Sequence, residues 1–319
     1  MQLTLDLICQ AQHRLCGRLH RTPLVHSETL SRHLGAPTFL KLECLQKTGS
    51  FKPRGAFFRM LDMTPEERQR GVVAVSGGNH AQGVAYAARE LGIDATICMP
   101  ETTPNNYLEA TRGYGASIVP CRDIRAAFAE GDRLQAEGRV FVHPFDDPHV
   151  AAGQGTVGLE ILEDLPEVTR AYVSIGGGGF IAGIATAMRS IKPQTKIIGV
   201  ETRGADAMAQ SLAAGEIVEL PAITSIARTL GAPKVSRFTY QAVRELVEEV
   251  VVVEDAEAVR SLFFLLERTK QLTEPAASCT LAAAERQRGL LTPNDRIVLV
   301  LCGGNVSAAD LASYHARFI

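Results

Sequence analysis

The chain has 319 residues, of which 46% are hydrophobic and 21% are charged, which is ordinary for a globular protein with one large or two medium domains. The formal net charge is -2 and there is no block of lysine and arginine, so we expect neither a nucleic-acid partner nor an anionic membrane surface. No stretch approaches the roughly 18 uninterrupted apolar residues that a membrane helix requires. Seven scattered cysteines without CxxC spacing predict a reducing, cytoplasmic compartment and no structural zinc.

The chain before Val72 contains four predicted helices and one predicted strand, and a regular pattern begins after them. Apolar spacing predicts a helix over 5–19, and Ser27 is the expected N-cap of a second helix that ends at His33. Alternation over 38–43 predicts a strand that leads to the segment Gly49-Ser-Phe-Lys-Pro-Arg-Gly55. We expect a helix after Pro53, and a further helix capped by Thr64.

From Val72 onward, predicted strands and helices alternate, which indicates parallel strand pairing with right-handed crossovers. The predicted strands are 72–75, 95–99, 117–120, 140–143, 171–175, 196–200, 249–253 and 296–301. The predicted helices are 80–91, 104–114, 124–136, 149–164, 181–190, one near 207, 239–246, 256–269, 275–287 and a last one ending at 316. We therefore predict an α/β protein with two open parallel sheets. Residues 1–45 and 146–319 are expected to form a large domain, and 46–145 a small domain inserted in it.

Lys52 stands in a segment that restricts the backbone. Pro53 fixes its own φ and disfavours the α conformation at Lys52, so we predict that the lysine lies at a kinked helix entrance. A lysine amine is nucleophilic only when neutral, and Phe51 (by burial) or Arg54 (by its charge) could lower its pKa. Lys52 is thus a candidate attachment point for an aldehyde cofactor, although a single lysine beside a proline is in most proteins a surface residue.

Three glycine-containing loops follow predicted strands, where open parallel sheets bind ligands. Amides of Gly176-Gly-Gly-Gly179 can surround a phosphate at a helix N-terminus, and the alternative is a flexible turn. The loop Ser76-Gly-Gly-Asn-His80 offers amides, a hydroxyl and a carboxamide to a carboxylate, and the alternative is an ordinary helix cap. Cys302-Gly-Gly-Asn305 either lets a flat ring approach the backbone or holds a cysteine that acts as a small buried hydrophobe.

Together these parts suit pyridoxal 5'-phosphate holding an amino acid. The chain resembles the fold type II (tryptophan synthase β-like) pyridoxal phosphate enzymes, and within them the serine/threonine dehydratases with their relative serine racemase. The resemblance covers nearly the whole chain. It implies that the large domain, 1–45 and 146–319, binds the cofactor and that the small domain, 46–145, closes over the substrate. The matching segments are 41–55, 76–83, 144–147, 153–156, 176–179, 274–277 and 302–305.

The resemblance implies a role for each matching residue. Lys52 forms the Schiff base and moves the α-proton, Phe51 lies against the pyridine ring, and Asn79 hydrogen-bonds the ring's phenolic oxygen. Cys302 faces the pyridine nitrogen, which a thiol does not protonate, so elimination is favoured over transamination. The cofactor phosphate is held by Gly176, Gly177, Gly178 and Gly179. The substrate carboxylate is held by Ser76, Gly77, Asn79 and His80.

The implied reaction converts L-threonine, L-serine or a related β-hydroxy amino acid to a 2-oxo acid and ammonia, in a homodimer. Gly77 stands where serine racemases carry an acid/base serine, which favours a dehydratase over a racemase with side dehydratase activity. Arg228 replaces an aspartate of many dehydratases, and is either a surface residue or alters the pocket toward a substrate such as phenylserine or 3-hydroxyaspartate. Glu274 either acts beside the ring or only begins a helix.

The cation site of related enzymes maps onto Glu201, Ala205 and Ala207. Ala207 has no polar side chain to act as the third ligand. The resemblance therefore leaves open a monovalent cation held by Glu201 and the Ala205 carbonyl, and disfavours magnesium, which requires octahedral oxygen ligands.

Overall fold

The structure, a computed structural model, describes residues 2–319. Within this range the strands are β1 (Leu24–His26), β2 (Thr38–Lys41), β3 (Val72–Val75), β4 (Ala95–Pro100), β5 (Ser117–Cys121), β6 (Val140–Phe141), β7 (Arg170–Ser174), β8 (Lys196–Thr202), β9 (Glu249–Val253) and β10 (Ile297–Val300). The helices are α1 (Leu5–Leu15), α2 (Glu28–Leu34), α3 (Lys52–Leu61), α4 (Pro65–Arg70), α5 (Asn79–Leu91), α6 (Asn105–Gly113), α7 (Ile124–Ala136), α8 (Pro148–Asp164), α9 (Gly179–Ile191), α10 (Ala207–Ala214), α11 (Arg237–Leu246), α12 (Asp255–Phe264), α13 (Pro275–Arg286) and α14 (Ala308–Phe318).

The strands form two sheets, as predicted. A six-stranded sheet has the order β1-β2-β10-β7-β8-β9 and a four-stranded sheet the order β5-β4-β3-β6. All pairings are parallel except that of β1 with β2. The α/β class with two parallel sheets is confirmed. The short antiparallel edge strand β1 was not predicted, because three residues carry too little periodicity to be recognised.

The central strands form where apolar runs are buried on both faces. All four residues of β3, Val-Val-Ala-Val, and all four of β10, Ile-Val-Leu-Val, are buried. Such continuous apolar strands are typical of parallel sheets that helices cover on both sides. The six-stranded sheet and its helices enclose one large core, and a second core lies among α1, α3, α5 and the smaller sheet.

Predicted helix caps are confirmed where a side chain closes the first turn. Ser27 accepts a hydrogen bond from the Leu30 amide, and Thr64 and Glu67 form a capping box at the start of α4. Two helices end well before their predicted last residues. Helix α1 ends at Leu15 because Gly17 adopts φ of +73°. The 256–269 helix is α-helical only to Phe264 and then continues as one π-helical turn.

Helix α3 begins at Lys52 and not after Pro53. A proline in the first turn removes an amide that has no intrahelical acceptor, so the helix tolerates it there. The prediction that Lys52 lies at a helix entrance is therefore correct, and the prediction that Pro53 keeps it outside the helix is wrong. Between residues 2 and 319, none of the helices has the length and apolarity needed to cross a membrane.

Candidate active site

The order of the six-stranded sheet brings three loops to one edge. Strand β10 lies between β2 and β7, and is parallel to both. The carboxyl ends of these three strands therefore meet at one edge of the sheet, which is where open α/β sheets bind ligands. The chain leaves these ends toward Lys52, Cys302 and Gly176, so three of the four predicted site segments become neighbours.

Backbone hydrogen bonds hold the Lys52 segment against the Cys302 loop. Ser50 forms an isolated antiparallel bridge with Gly303, and the Phe51 amide donates to the Cys302 carbonyl at 3.1 Å. The Gly304 amide donates to the Gly49 carbonyl at 2.9 Å. Gly49 has φ of +70°, and a Cβ atom there would lie 2.5 Å from Asn305 Oδ1, so both its conformation and its surroundings require glycine.

Lys52 presents a part-buried amine. Its Nζ donates to the Pro144 carbonyl at 3.1 Å and lies 5.0 Å from the centre of the Phe51 ring. Burial lowers the pKa of Lys52 from 10.5 to about 8, while Cys302 and Glu274 oppose that shift. Desolvation is thus the cause that favours the neutral, nucleophilic amine.

Arg54 does not act on Lys52, so that part of the prediction is wrong. The Arg54 guanidinium is buried and donates to Glu43 Oε2 at 2.8 Å and to Glu160 Oε1 at 2.6 Å. Lys41 also donates to Glu160, which completes a buried cluster of two cations and two carboxylates. Arg54 is therefore neutralised within the framework behind the site.

The four-glycine loop forms an open amide cradle at the start of α9. Gly178 is the N-cap with φ of +92°, and no side chain caps the helix. The first amides of a helix have no intrahelical acceptor, and among residues 2–319 neither Gly177 nor Gly178 donates its amide to a partner. A Cβ atom on Gly177 would overlap the Phe145 ring. A merely flexible turn, the alternative for this loop, does not explain why Gly177 packs so closely against Phe145.

Two contacts connect the cradle with Lys52. The Phe51 ring stacks on the Phe180 ring, with centroids 3.8 Å apart and planes inclined by 13°. Phe145, whose backbone packs on Gly179, directly follows the Pro144 carbonyl that accepts from Lys52. The amine and the amide cradle therefore border one site.

The Ser76–His80 loop starts α5 at the end of β3. Ser76 Oγ accepts from the Gly78 amide at 3.1 Å, and Gly78 is the N-cap without a side-chain capping bond. His80 Nε2 lies 2.8 Å from the Val142 carbonyl, so Nε2 carries the proton and Nδ1 is unprotonated. Burial lowers the pKa of His80 to about 3, so its ring is neutral.

Asn79 joins this loop to the Cys302 loop and to the start of α13. Its Nδ2 donates to Glu274 Oε1 at 2.9 Å, and its Oδ1 accepts from Asn305 Nδ2 at 2.8 Å. Thr229 Oγ1 also donates to Glu274 Oε1, at 2.8 Å. Burial raises the pKa of Glu274 to about 7. Although Glu274 is the N-cap residue of α13, its carboxyl makes no capping bond, so it holds Asn79 instead of only starting the helix.

Cys302 is a buried, neutral thiol. Its Sγ donates to the Ala276 carbonyl at 3.5 Å, and burial raises the pKa of Cys302 well above its usual range. A neutral thiol next to the Lys52 segment cannot carry the charge of an aspartate or deliver a proton as an acid would.

The predicted cation ligands lie behind the cradle. Both carboxylate oxygens of Glu201 accept backbone amides, from Met208 at 3.0 Å and from Ala209 at 2.8 Å, and so cap α10. Burial raises the pKa of Glu201 to about 8. Over residues 2–319 no group of three or more His, Cys, Asp and Glu is arranged to hold a metal ion. The cation at Glu201 and Ala205 stays a prediction.

Several residues at the site had no usable signal in the sequence. Thr229 donates to Glu274, and the Tyr107 hydroxyl donates to the Asn305 carbonyl, in both cases from an element remote in the chain. Thr103 approaches Gly77 from the loop after β4. Arg228 is exposed in a short 3-10 turn beside Thr229, which favours the surface-residue alternative. These residues become neighbours because distant loops pack together, and the sequence pattern of one segment does not predict such packing.

The residues present fit pyridoxal 5'-phosphate. The cradle offers unpaired amides to a phosphate dianion, Lys52 offers an amine whose pKa is lowered, and Asn79 offers a carboxamide. The glycines at 177 and 303 keep Cβ atoms away from Phe145 and from Glu274 Oε1, respectively. Fold and site together define a pyridoxal phosphate enzyme built on two parallel sheets.

Comparison with known proteins agrees with this class. Residues 16–303 match the pyridoxal-phosphate dependent enzyme family, and the chain belongs to that family. It is 46% identical over 312 residues to the L-threonine ammonia-lyase of Geobacter sulfurreducens, covering 97% of this chain and 77% of that protein. It is 40% identical to the catabolic L-threonine dehydratase of Escherichia coli, covering 98% and 96% of the two chains.

Solved structures show the same fold. Maize serine racemase aligns with a TM-score of 0.93 and 36% identity, covering 99% of this chain and 98% of the racemase. The processed form of threonine deaminase isoform 2 from Solanum lycopersicum aligns with a TM-score of 0.92 and 32% identity, covering 98% of this chain and 87% of the deaminase. The protein is thus an enzyme that uses pyridoxal 5'-phosphate.

Proposed function

We propose that the protein is a dehydratase, or ammonia-lyase, that converts L-threonine, L-serine or a related β-hydroxy amino acid to a 2-oxo acid and ammonia. The observation that carries the proposal is the part-buried Lys52 amine, which borders the same site as the amide cradle and the Cys302 loop and has a pKa of about 8. Relatives named L-threonine ammonia-lyase and L-threonine dehydratase at 46% and 40% identity support the same reaction.

The side chains have distinct tasks in this reaction. The cofactor, when bound, withdraws electrons and so acidifies the α-carbon of the attached amino acid. Neutral Lys52 takes the α-proton, because its pKa is matched to neutral pH. Amides of the Ser76–His80 loop hold the carboxylate, and the cradle holds the cofactor phosphate. Cys302 provides no acid at the ring nitrogen, so charge leaves with the β-hydroxyl.

The first test is direct. Purified protein with pyridoxal 5'-phosphate is incubated with L-threonine, and 2-oxobutyrate is assayed; a panel of β-hydroxy amino acids, including L-serine, phenylserine and 3-hydroxyaspartate, is then ranked by kcat/KM. We expect 2-oxo acid from at least one of them. Absence of any 2-oxo acid would refute the proposal.

Removal of the Lys52 amine tests its assignment. We expect Lys52→Ala to lower kcat by at least about 10³-fold, because general acid-base catalysis of this kind contributes about 10²- to 10⁴-fold and attachment of the cofactor is lost as well. Lys234→Ala is the control, because the Lys234 side chain is 62% exposed. Deamination by Lys52→Ala at the wild-type rate would contradict the role.

A racemase with side dehydratase activity is the second candidate, because the maize serine racemase fold matches with a TM-score of 0.93. Gly77 argues against it, since no side chain at that position can protonate the opposite face. Chiral chromatography after incubation with L-serine decides between the two functions, and a rate of D-serine formation equal to that of pyruvate would favour the racemase.

We also propose that the protein acts in the cytoplasm as a homodimer, that residues 46–145 close over the substrate as a unit, and that Glu201 and the Ala205 carbonyl hold a monovalent cation. The free state of all seven cysteines supports a reducing compartment. The burial of the Glu201 carboxyl, with no cationic side chain beside it among residues 2–319, supports the cation. Light scattering of the purified protein, and activity in potassium against tetramethylammonium salts, test two of these proposals.

A further inference from the structure

Thr103 carries a buried hydroxyl that nothing in the fold accounts for. It lies in the turn between β4 and α6, where its own amide donates to the Pro100 carbonyl at 2.9 Å. The residue is 9% exposed, and its Oγ1 has no hydrogen-bond partner in the described part of the chain. A buried hydroxyl without a partner costs free energy, so such a group usually meets a ligand or an ordered partner.

The hydroxyl lies against the carboxylate loop. A Cβ atom added to Gly77 would be 2.5 Å from Thr103 Oγ1, so the hydroxyl occupies the space that a side chain at 77 would need. Ser76 Oγ accepts from the Gly78 amide and makes no hydrogen bond with Thr103 Oγ1. Thr103 thus adds a hydrogen-bond donor to the loop at the place where a side chain of residue 77 would lie.

We propose that Thr103 is a substrate-binding residue, whose hydroxyl donates a hydrogen bond to the substrate carboxylate held by the Ser76–His80 loop. This inference rests on the proposed function, in which that loop binds a carboxylate. A carboxylate only accepts hydrogen bonds, and a hydroxyl that donates to an ionised acceptor makes a stronger bond than one between neutral groups. The proposal also explains the glycine at position 77, because any larger residue there would displace the Thr103 hydroxyl.

The test compares Thr103→Val, which keeps the shape and removes the hydroxyl, with Thr103→Ser, which keeps the hydroxyl. Each cofactor-loaded variant is titrated with L-threonine and with L-threoninol, in which a hydroxymethyl group replaces the carboxylate, and binding is followed by the cofactor's absorbance. We expect Thr103→Val to weaken L-threonine binding by about 10-fold or more and L-threoninol binding by less than about 2-fold, in keeping with a charge-assisted hydrogen bond. Thr103→Ser should stay within about 3-fold of wild type for both.

Two outcomes would overturn the proposal. One is L-threonine binding by Thr103→Val that equals the wild type, and the other is an equal loss for both ligands, which would indicate a general change of the pocket. Stability provides an independent check: because an unpaired hydroxyl is removed, Thr103→Val without substrate should unfold at the wild-type temperature or above it. A marked decrease would show that the hydroxyl has a structural partner.

The same titrations separate this inference from the dehydratase function. If no β-hydroxy amino acid is turned over but the selective loss of L-threonine binding persists, the proposed function fails and the role of Thr103 stands. If 2-oxobutyrate forms and Thr103→Val binds both ligands as the wild type does, the function stands and the role of Thr103 fails.

Discussion

Lys52 shows how burial alone can prepare a residue for chemistry. Its amine makes one hydrogen bond, to the Pro144 carbonyl, and the neighbouring Cys302 and Glu274 oppose the lowering of its pKa. Desolvation outweighs them and lowers the pKa of Lys52 to about 8, so about half of the amines are neutral at that pH. A reactive amine of this kind reduces the stability of the cofactor-free protein, as is common at functional sites.

The stability cost of Lys52 depends on pH in a defined direction. Between pH 8 and 10.5 the unfolded chain binds a proton at this lysine that the folded, cofactor-free protein does not, so the free energy of unfolding rises with pH. Below pH 8 we expect cofactor-free Lys52→Met to be more stable than wild type by up to about 3 kcal/mol, at about 1.4 kcal/mol per pKa unit. The difference should shrink by pH 10.

Urea unfolding of both proteins at pH 7 and pH 10 measures this effect. Lys234→Met is the matched control, since the 62% exposed Lys234 side chain should give no such difference. A stability gain of Lys52→Met that is the same at both pH values would show that packing, and not ionisation, is responsible.

At the scale of elements, the site depends on loops whose glycines allow close approach. The cradle begins α9 against the Phe145 ring, and the Lys52 segment pairs with the Cys302 loop through the Ser50 and Gly303 bridge. The stacked rings of Phe51 and Phe180 join these two units. Cofactor binding therefore depends on the close packing between these loops, and a single added methyl group in the cradle should weaken it.

Gly177→Ala tests this close packing. The added Cβ would overlap the Phe145 ring, so either the ring or the cradle must move. We expect the affinity for pyridoxal 5'-phosphate to fall by about 10-fold or more, which corresponds to about 1.4 kcal/mol of lost binding free energy. Fluorescence titration of cofactor-free protein measures it. In Gly289→Ala, the control, the added Cβ has no neighbour within 4 Å. Equal affinity in the two variants would contradict the close packing of the cradle.

At the scale of the whole molecule, a buried ionic cluster connects the helix of Lys52 with the larger sheet. Arg54 of α3 and Lys41 of β2 share Glu160 of α8, and Glu43 completes the cluster. The charges balance, and Thr22 and Thr156 supply further hydrogen bonds. Because each charge is out of water, the cluster is stable only when it is complete.

Glu160→Gln removes one charge from this cluster. We expect a loss of about 3 to 5 kcal/mol in the free energy of unfolding, because a buried cation is left without its partner. Glu28→Gln, which removes an exposed i,i+4 pair with Arg32, should cost less than about 0.5 kcal/mol. Denaturant unfolding of the two variants at pH 7 makes the comparison. A loss below about 1 kcal/mol for Glu160→Gln would mean that water reaches the cluster.

The amino-acid sequence by itself determined the elements and the chemistry they carry. Strand β3 was predicted with its observed bounds from four successive apolar residues, and α7 was also predicted with its observed bounds, where the structure shows Asp123 as the N-cap. Glycine loops after apolar strands, together with Lys52, indicated the cofactor. These features are local, since periodicity, capping and turn residues act within a few positions of the chain.

Only the tertiary structure decided which groups meet. Arg54 stands two residues from Lys52 but turns to Glu160, and Glu274 holds Asn79 from 195 positions away. Thr103 fills the space beside Gly77 although nothing in its own segment marks it. Such contacts depend on the order of strands in a sheet and on the direction of each side chain. The free energy of burying a charge or a hydroxyl then selects the partners, and that selection is made across the whole fold.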